Sequence, residues 1–482
     1  MPIDRQEWEA ATFIDEARIC RDLSQARQAD SAEVAQILRK AERAEGLSPY
    51  ETAVLLQTED SEQMEAMYSV ARQVKERIYG RRIVLFAPLY VSNYCVNACT
   101  YCGYSCRHQL HRRRLSQEEL ADEARLLQAM GHKRLALEAG EDPANCPIEY
   151  VLECMKTIYA TVGGPAGSEH LSDSIRRINV NIAATTVDEY RQLKRAGLGT
   201  YILFQETYHR ETYRQMHPSG PKSDYDWHTT AMDRAMQAGI DDVGCGVLLG
   251  LYDFRFEVLG LLYHARHLEE RFGVGPHTVS VPRLRPATGI DLPAFPHVLS
   301  DEDFRRVVAV LRLAIPYTGI ILSTRERPGF RDEVIGLGVS QISAGSCTGV
   351  GGYRQEFEHE KNGTPIETAQ FDVDDHRAPD EIIRMLCGAG YIPSYCTACY
   401  RQGRTGDRFM QLAKTGQIQN VCQPNALLTL QEYALDYADA ETRLQIERVI
   451  ARELETIPDP KVRTETQERL TRLTQGERDL YF

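Results

Sequence analysis

The chain has 482 residues, enough for one large α/β barrel with smaller appendages or for two to three ordinary domains. Its net charge of −13 is spread over interleaved acidic and basic residues, which argues against a nucleic-acid footprint, and no apolar run reaches the about eighteen residues of a membrane helix. Thirteen cysteines, six of them in two tight sets, point to metal or redox chemistry rather than a disulfide framework, and the polar start Met1-Pro-Ile-Asp-Arg-Gln-Glu7 is unlike a signal peptide, so a cytoplasmic enzyme is expected.

Residues 1–80 are rich in Ala, Glu, Arg and Gln, with helical apolar spacing such as Val34-x2-Ile37-Leu38 and Tyr50-x2-Ala53-Val54, and predict a helical N-terminal region packed on the outside of the domain after it. From about 81 the pattern becomes short β-branched runs, each followed by a helical segment. These are Ile83–Val91, Arg134–Glu138, Ile178–Ala183, Thr200–Glu206, Asp242–Leu249, Thr278–Leu284, Ile320–Thr324 and Ser340–Ala344. Eight such units over 81–350 predict a (βα)8 barrel of the TIM type, whose active-site groups come from the C-terminal strand ends and the loops after them.

The loop after the first strand reads Cys95-Val-Asn-Ala-Cys99-Thr-Tyr-Cys102. Three thiolates at this spacing suit one iron–sulfur cube that keeps its fourth iron open for a substrate or cofactor. A zinc site is the alternative, but His108 and His111, the next histidines, sit in an Arg-rich stretch without a second ligand pair.

A polar connection with little periodicity occupies 351–379, and a helical domain is expected over 380–482. It carries Cys396-Thr-Ala-Cys399 and, after twenty-two residues, Cys422-Gln-Pro-Asn425. This second set again suits a cluster with one open iron, whereas Cys387, inside a helical stretch, reads as a buried core thiol.

The first cysteine run, with its aromatic residue before the last cysteine, resembles the signature of the radical S-adenosylmethionine (SAM) enzymes. The stretch Tyr391–Met410 with Cys422–Ala426, together with Asn179–Thr186, Ile202–Tyr208 and Gly275–Arg283, resembles the tyrosine-cleaving maturase family of [FeFe]-hydrogenase, itself related to 2-iminoacetate synthase. The likeness runs from about residue 80 to the end. It implies two [4Fe–4S] clusters, one on Cys95, Cys99 and Cys102 that binds SAM, and an auxiliary one on Cys396, Cys399 and Cys422. An additional iron, linked to the auxiliary cluster through cysteine and held by a barrel histidine, is implied too; His267 is preferred, with His264 and His277 behind it.

By the same resemblance Tyr101 lies near the SAM adenine, with Tyr104 close behind, and Ala139-Gly140-Glu141 receives the SAM amino group. From strand position, Asn179 and Asn181, two apart on the third strand, are expected to point into the lumen near its mouth, and Glu206, at the end of the fourth, to accept from SAM, which makes all three expected SAM contacts. Tyr90, Arg325 and Ser343 would clamp the substrate, the arginine fork matching a carboxylate. The implied reaction cleaves the Cα–Cβ bond of L-tyrosine to p-cresol and dehydroglycine, the latter yielding carbon monoxide and cyanide. Implied partners are an electron donor such as ferredoxin or flavodoxin and other hydrogenase maturation proteins, with neither nucleic acid nor membrane. Two alternatives stand: a 2-iminoacetate synthase of thiazole biosynthesis, which lacks the second cysteine set, and a non-catalytic iron–sulfur carrier or scaffold.

Overall fold

Alternation along the first strand shows how the barrel is built. Ile83, Leu85, Ala87, Leu89 and Val91 are wholly buried on one face, while Val84, Phe86, Pro88 and Tyr90 between them point into the lumen. The strands are β1 (Arg82–Ser92), β2 (Arg134–Ala139), β3 (Arg177–Asn181), β4 (Leu198–Ile202), β5 (Val243–Gly246), β6 (Thr278–Ser280), β7 (Gly319–Leu322) and β8 (Gln341–Ser343). All pair in parallel with their neighbours in chain order, and β8 returns to β1, which also pairs β2, so the sheet closes on itself. This is the predicted (βα)8 barrel. The structure, a computed structural model, describes residues 10–163, 174–362 and 369–482, with the side chains of 360–362 excepted. The expectation for Met1–Glu7 lies outside the described residues, as does part of that for 351–379.

Several runs are shorter than expected. The sixth stops at Ser280, two residues before Pro282, which has no N–H to give a ladder. The N-terminal part forms helices at Glu16–Ala26, Ser31–Ala41, Pro49–Leu56 and Ser61–Tyr79, capped by Asp15, Asp30, Ser48 and Asp60. The last of these buries Met64, Met67, Val70, Ala71, Val74 and Ile78 at helical spacing and packs on the barrel helix Asp301–Ala314.

Two features depart from the sequence reading. The span 351–379 is not all connection: Gly352–Asn362 is a helix, whose first-turn N–H groups at Tyr353 and Arg354 are accepted by the buried Glu123 carboxylate. Nor is the C-terminal region all helix, because Ile392–Ser394 forms β9, which pairs in parallel with Arg82–Val84 below the point where β1 meets β2. Three residues with a central proline carry no period-2 signal, and Pro393 is tolerated because β9 is an edge strand. That strand leads directly into Cys396 and ties the second cysteine set to the lower end of the barrel.

Candidate active site

The lumen holds a cavity at each end. The upper one, about 220 Å³, is lined from strand ends by Tyr90, Glu138, Asn181, Ser280 and Ser343 and by the cysteine loop after β1; the lower, about 60 Å³, is lined from strand starts by Arg82, Arg134, Gly319 and Gln341 and by the second cysteine set. Residues two apart on one strand serve different cavities, as Val84 and Phe86 do on β1 and Gln341 and Ser343 on β8. The cavities are therefore separated by one layer of side chains, a step of roughly 7 Å.

Cys95, Cys99 and Cys102 all line the upper cavity. Their loop has no regular structure of its own and is held by backbone hydrogen bonds from Val96 to Glu141, Ala98 to Ser219, Thr100 to Met216 and Gly103 to Gln370. Asn97 is its central tie, donating to Glu141 Oε2 at 2.6 Å and accepting from the Lys222 backbone N–H at 2.9 Å. Amide N–H groups approach two of the sulfurs, Asn97 to Cys95 Sγ at 3.8 Å and Gln370 to Cys102 Sγ at 3.7 Å. Burial pushes the Cys102 thiol up to about 11 and raises Cys99 further, a cost that coordination removes because a ligating thiol is deprotonated outright. Three thiols with N–H donors at sulfur fit an iron–sulfur cluster. His108, the nearest histidine considered for a zinc site, is occupied with the Gly103 carbonyl at 3.1 Å.

Around this loop lie most of the residues proposed for SAM. Tyr101 is buried, and its hydroxyl donates to Nε2 of His217 at 2.8 Å, since Nδ1 of that ring faces the Tyr213 carbonyl and carries the proton. Burial and the Lys222 charge hold His217 neutral, down to about 3. Tyr104 donates to the Thr348 carbonyl and packs edge-on against Tyr90. Ala139, Gly140 and Glu141 line the cavity, and a Cβ on Gly140 would stand 2.4 Å from the Tyr94 carbonyl oxygen, so only glycine permits this close approach. Glu206 has φ of +70°, a strained value for a non-glycine residue, and accepts from Lys222 Nζ at 2.7 Å. Burial opposes the Lys222 charge, but Glu206 overcomes it and holds the ammonium above its ordinary range.

Asn181 joins this cavity, whereas Asn179 does not. Its side-chain oxygen is taken by Arg177 at 2.7 Å and by the Thr200 N–H at 3.1 Å, one lumen layer deeper, so its expected SAM contact is corrected to a structural one. The strand parity was right and the depth was wrong by two residues.

Tyr90, Arg325 and Ser343 face the same cavity. The Tyr90 hydroxyl donates to Gln370 Oε1 at 2.8 Å, and the Arg325 guanidinium stacks on Phe371 and donates to the Arg283 carbonyl at 3.3 Å. Ser343 Oγ accepts from the Thr324 N–H at 3.2 Å, which sets the loop that carries Arg325. Glu138, Lys222, Gln370 and His217 escaped the sequence reading. Only Glu138 carried a signal, as the last residue of a predicted strand.

In the lower cavity Cys396, Cys399 and Cys422 meet Arg82, Arg134, Tyr400 and His277. Arg134 donates to the Cys396 carbonyl at 3.1 Å, yet its Nε is buried with no hydrogen-bond partner, an orphan that suits an anionic group in the cavity. Burial holds both guanidinium groups below their usual range, with the Cys396 and Cys399 thiolates acting against it. The donor set fits a thiolate-bound cluster with cationic walls. Cys387 is buried in the core, outside this set.

The preferred histidine is corrected here. His267 lies on the outer face of the helix Phe254–Phe272, stacked on Phe13 with centroids 3.8 Å apart and bonded to Asp233 at 2.7 Å. His264, beside it, bonds the Tyr208 hydroxyl at 2.9 Å. His277 instead lines the lower cavity, its Nε2 3.4 Å from the Tyr400 hydroxyl, and burial lowers its pKa, which favours the neutral imidazole that binds metals.

A closed parallel barrel with Cys-x3-Cys-x2-Cys after its first strand defines a radical SAM enzyme, and residues 89–259 match the model of the Radical SAM superfamily. Residues 280–392 match the Biotin and Thiamin Synthesis associated domain, which ends just before Cys396. Among curated proteins, the 2-iminoacetate synthase of Escherichia coli is 32% identical over 357 residues, 74% of this chain and 89% of the relative. Among solved structures, a HydG described as a maturase of the [FeFe]-hydrogenase is 59% identical, with a TM-score of 0.93 over 98% of this chain and 100% of the other. The HydG of Carboxydothermus hydrogenoformans is 39% identical, with a TM-score of 0.79 over 96% and 100%. The chain belongs to the HydG family of radical SAM maturases.

Proposed function

We propose that this maturase is a carbon–carbon lyase that cleaves L-tyrosine in the upper cavity and collects the fragments in the lower one. The observation that carries the reading is the presence of three thiols in each of two cavities at opposite ends of one barrel. Cys95, Cys99 and Cys102 would hold the [4Fe–4S] cluster that binds SAM, and Cys396, Cys399 and Cys422 the auxiliary [4Fe–4S] cluster. When bound and reduced by a donor such as ferredoxin or flavodoxin, the first cluster and SAM supply a 5′-deoxyadenosyl radical.

The residues then bind and orient. Arg325 presents its fork to the substrate carboxylate, and Ser343 and Tyr90 hold it beside the SAM subsite of Tyr101, Glu141 and Glu206. Loss of the amino hydrogen and scission of Cα–Cβ would give dehydroglycine and a 4-oxidobenzyl radical with its proton, and one further electron from the same donor with one proton would convert that radical to p-cresol. The small fragments that become carbon monoxide and cyanide have one side-chain layer to pass before the cationic walls of Arg82 and Arg134. His277 would hold the additional iron that gathers them as an Fe(CO)(CN) unit for the hydrogenase H-cluster, passed on to the other maturation proteins.

The 2-iminoacetate synthase reading shares the upper cavity but leaves Cys396, Cys399, Cys422 and His277 without a purpose. A carrier or scaffold leaves the upper cavity and its strained Glu206 unexplained. Among the described residues no helix is long and apolar enough to cross a membrane. The test is anaerobic incubation of the reconstituted, reduced protein with SAM and tyrosine. Release of p-cresol is expected, and its absence refutes tyrosine cleavage.

A further inference from the structure

The upper cavity contains one carboxyl group that none of these roles uses. Glu138 is the next-to-last residue of β2, in register with Tyr90 on β1 and with Asn181 on β3, and all three side chains point into the lumen. Asn181 hydrogen-bonds the Glu138 carboxyl, and Arg325, from the loop after β7, acts on it electrostatically from across the cavity. The other charged groups that face this space are paired: Glu206 with Lys222, Glu141 with Asn97, and Arg285 with Asp374. Glu138 and Arg325 thus put one carboxyl and one guanidinium without an ion-pair partner of their own among the described residues on the same chamber, the complement of an amino-acid zwitterion.

We propose that Glu138 binds the substrate's ammonium group and acts as the base that removes its proton, so that hydrogen abstraction takes place on a neutral amine. This rests on the tyrosine-lyase reading above. In the step, one N–H bond breaks with both electrons left on nitrogen and one O–H bond forms on Glu138, with no change of oxidation state. The hydrogen atom is then taken from the amine, whose lone pair has been freed.

The carboxyl is suited to this exchange. Burial pushes Glu138 up to about 8, with Asn181 and Arg325 acting against it. A carboxyl raised this far holds a proton several powers of ten more tightly than an ordinary one near about 4.3, which brings it much closer to the affinity of an amine. The Tyr90 phenol, also facing Glu138, is raised well above its usual value by burial and stays protonated throughout this range.

These affinities set the sign of the pH effect. In the free enzyme below about pH 8 Glu138 is mostly neutral and cannot accept a proton, so kcat/KM for p-cresol formation should climb with pH toward 8 and fall again where free tyrosine loses the ammonium proton that Glu138 binds. The experiment measures p-cresol and 5′-deoxyadenosine over pH 6–9.5 for the wild type, Glu138→Gln and Glu138→Asp. Electron paramagnetic resonance of the SAM-bound cluster is recorded for each as a check on folding and cofactor loading. Glu138→Gln should load normally and lose p-cresol output by about 10²–10⁴-fold near neutral pH, what remains rising only as the substrate's amine loses its proton in solution, while Glu138→Asp recovers part of the rate and keeps the wild-type profile. A Gln variant that keeps the wild-type rate at neutral pH overturns the proposal and leaves tyrosine cleavage standing. A wild type that releases no p-cresol at any pH overturns both.

Discussion

Gly140 is the point at which the loop after β2 touches the first cysteine loop, and adding one methyl group there tests whether that contact holds the cluster in place. Its N–H donates to Ser92 at 3.0 Å, and the next residue accepts from Val96 at 2.8 Å, so both sides of the glycine are bonded to the chain that carries Cys95. In Gly140→Ala the new Cβ meets the Tyr94 carbonyl oxygen at 2.4 Å and Cys95 Cβ at 3.1 Å. The first contact is with backbone, and the two loops must part by about 0.6 Å to reach the 3.0 Å floor of real Cβ contacts. Overpacking costs about 1–3 kcal/mol, and weakening two backbone hydrogen bonds adds roughly 0.5–1.5 kcal/mol each, about 2–6 kcal/mol in all. Cys95 moves with the loop. The assay is iron and sulfide content in a Cys396→Ala, Cys399→Ala, Cys422→Ala background, where only the first cluster is counted. The parent should hold about four irons and change its paramagnetic spectrum when SAM is added, while the Gly140→Ala form should hold less than about one iron. Full loading with an unaltered response to SAM would refute the close-approach argument.

Other consequences are open to measurement. His277→Ala should abolish binding of the additional iron and the output of carbon monoxide, whereas His267→Ala, which loses only the contacts to Phe13 and Asp233, should leave both unchanged; iron analysis and gas detection decide. Lys222→Met strands the Glu206 carboxylate, whose side chain is only 11% exposed, and should cost about 3–5 kcal/mol in urea unfolding, much of it recovered by adding Glu206→Gln. Asp375 is fully buried against Arg331 at 2.7 Å and beside Arg377; burial alone raises its pKa, but the two guanidinium groups outweigh it and hold the carboxyl below its usual value. That pair therefore stabilises the fold above about pH 4 and is lost as pH falls through the lower, folded value. Arg331→Met should be less stable at pH 7 by about 3–5 kcal/mol, with the gap to wild type narrowing between pH 5 and pH 2.

What the sequence revealed depended on how far apart along the chain the cooperating residues lie. Cys95, Cys99 and Cys102 share one loop, and the eight strands repeat a local pattern, so both were legible from spacing and alternation. Lys222 meets Asn97 and Glu206 only through the folded loop after β4, and Gln370 reaches Tyr90 across 280 residues, with no local period to announce either. The histidines show the same limit in reverse. His264 and His267 were favoured because their helix resembles the family's pattern, but that helix packs against the outside of the barrel and turns His264 toward Tyr208, while the isolated His277 stands just before β6, where the lumen's lower end opens. Asn179 had the correct parity for the lumen, yet parity does not report depth, and two residues separate the SAM cavity from the Arg177 layer.

The separation of breaking tyrosine from keeping its fragments is tested most directly by one anaerobic reaction in which p-cresol, cyanide and carbon monoxide are all quantified for the wild type and for Cys396→Ala. Two cavities with divided roles predict p-cresol within a few-fold of wild type in the variant and carbon monoxide at background. Carbon monoxide output that survives the loss of Cys396, or p-cresol that disappears with it, would contradict that division.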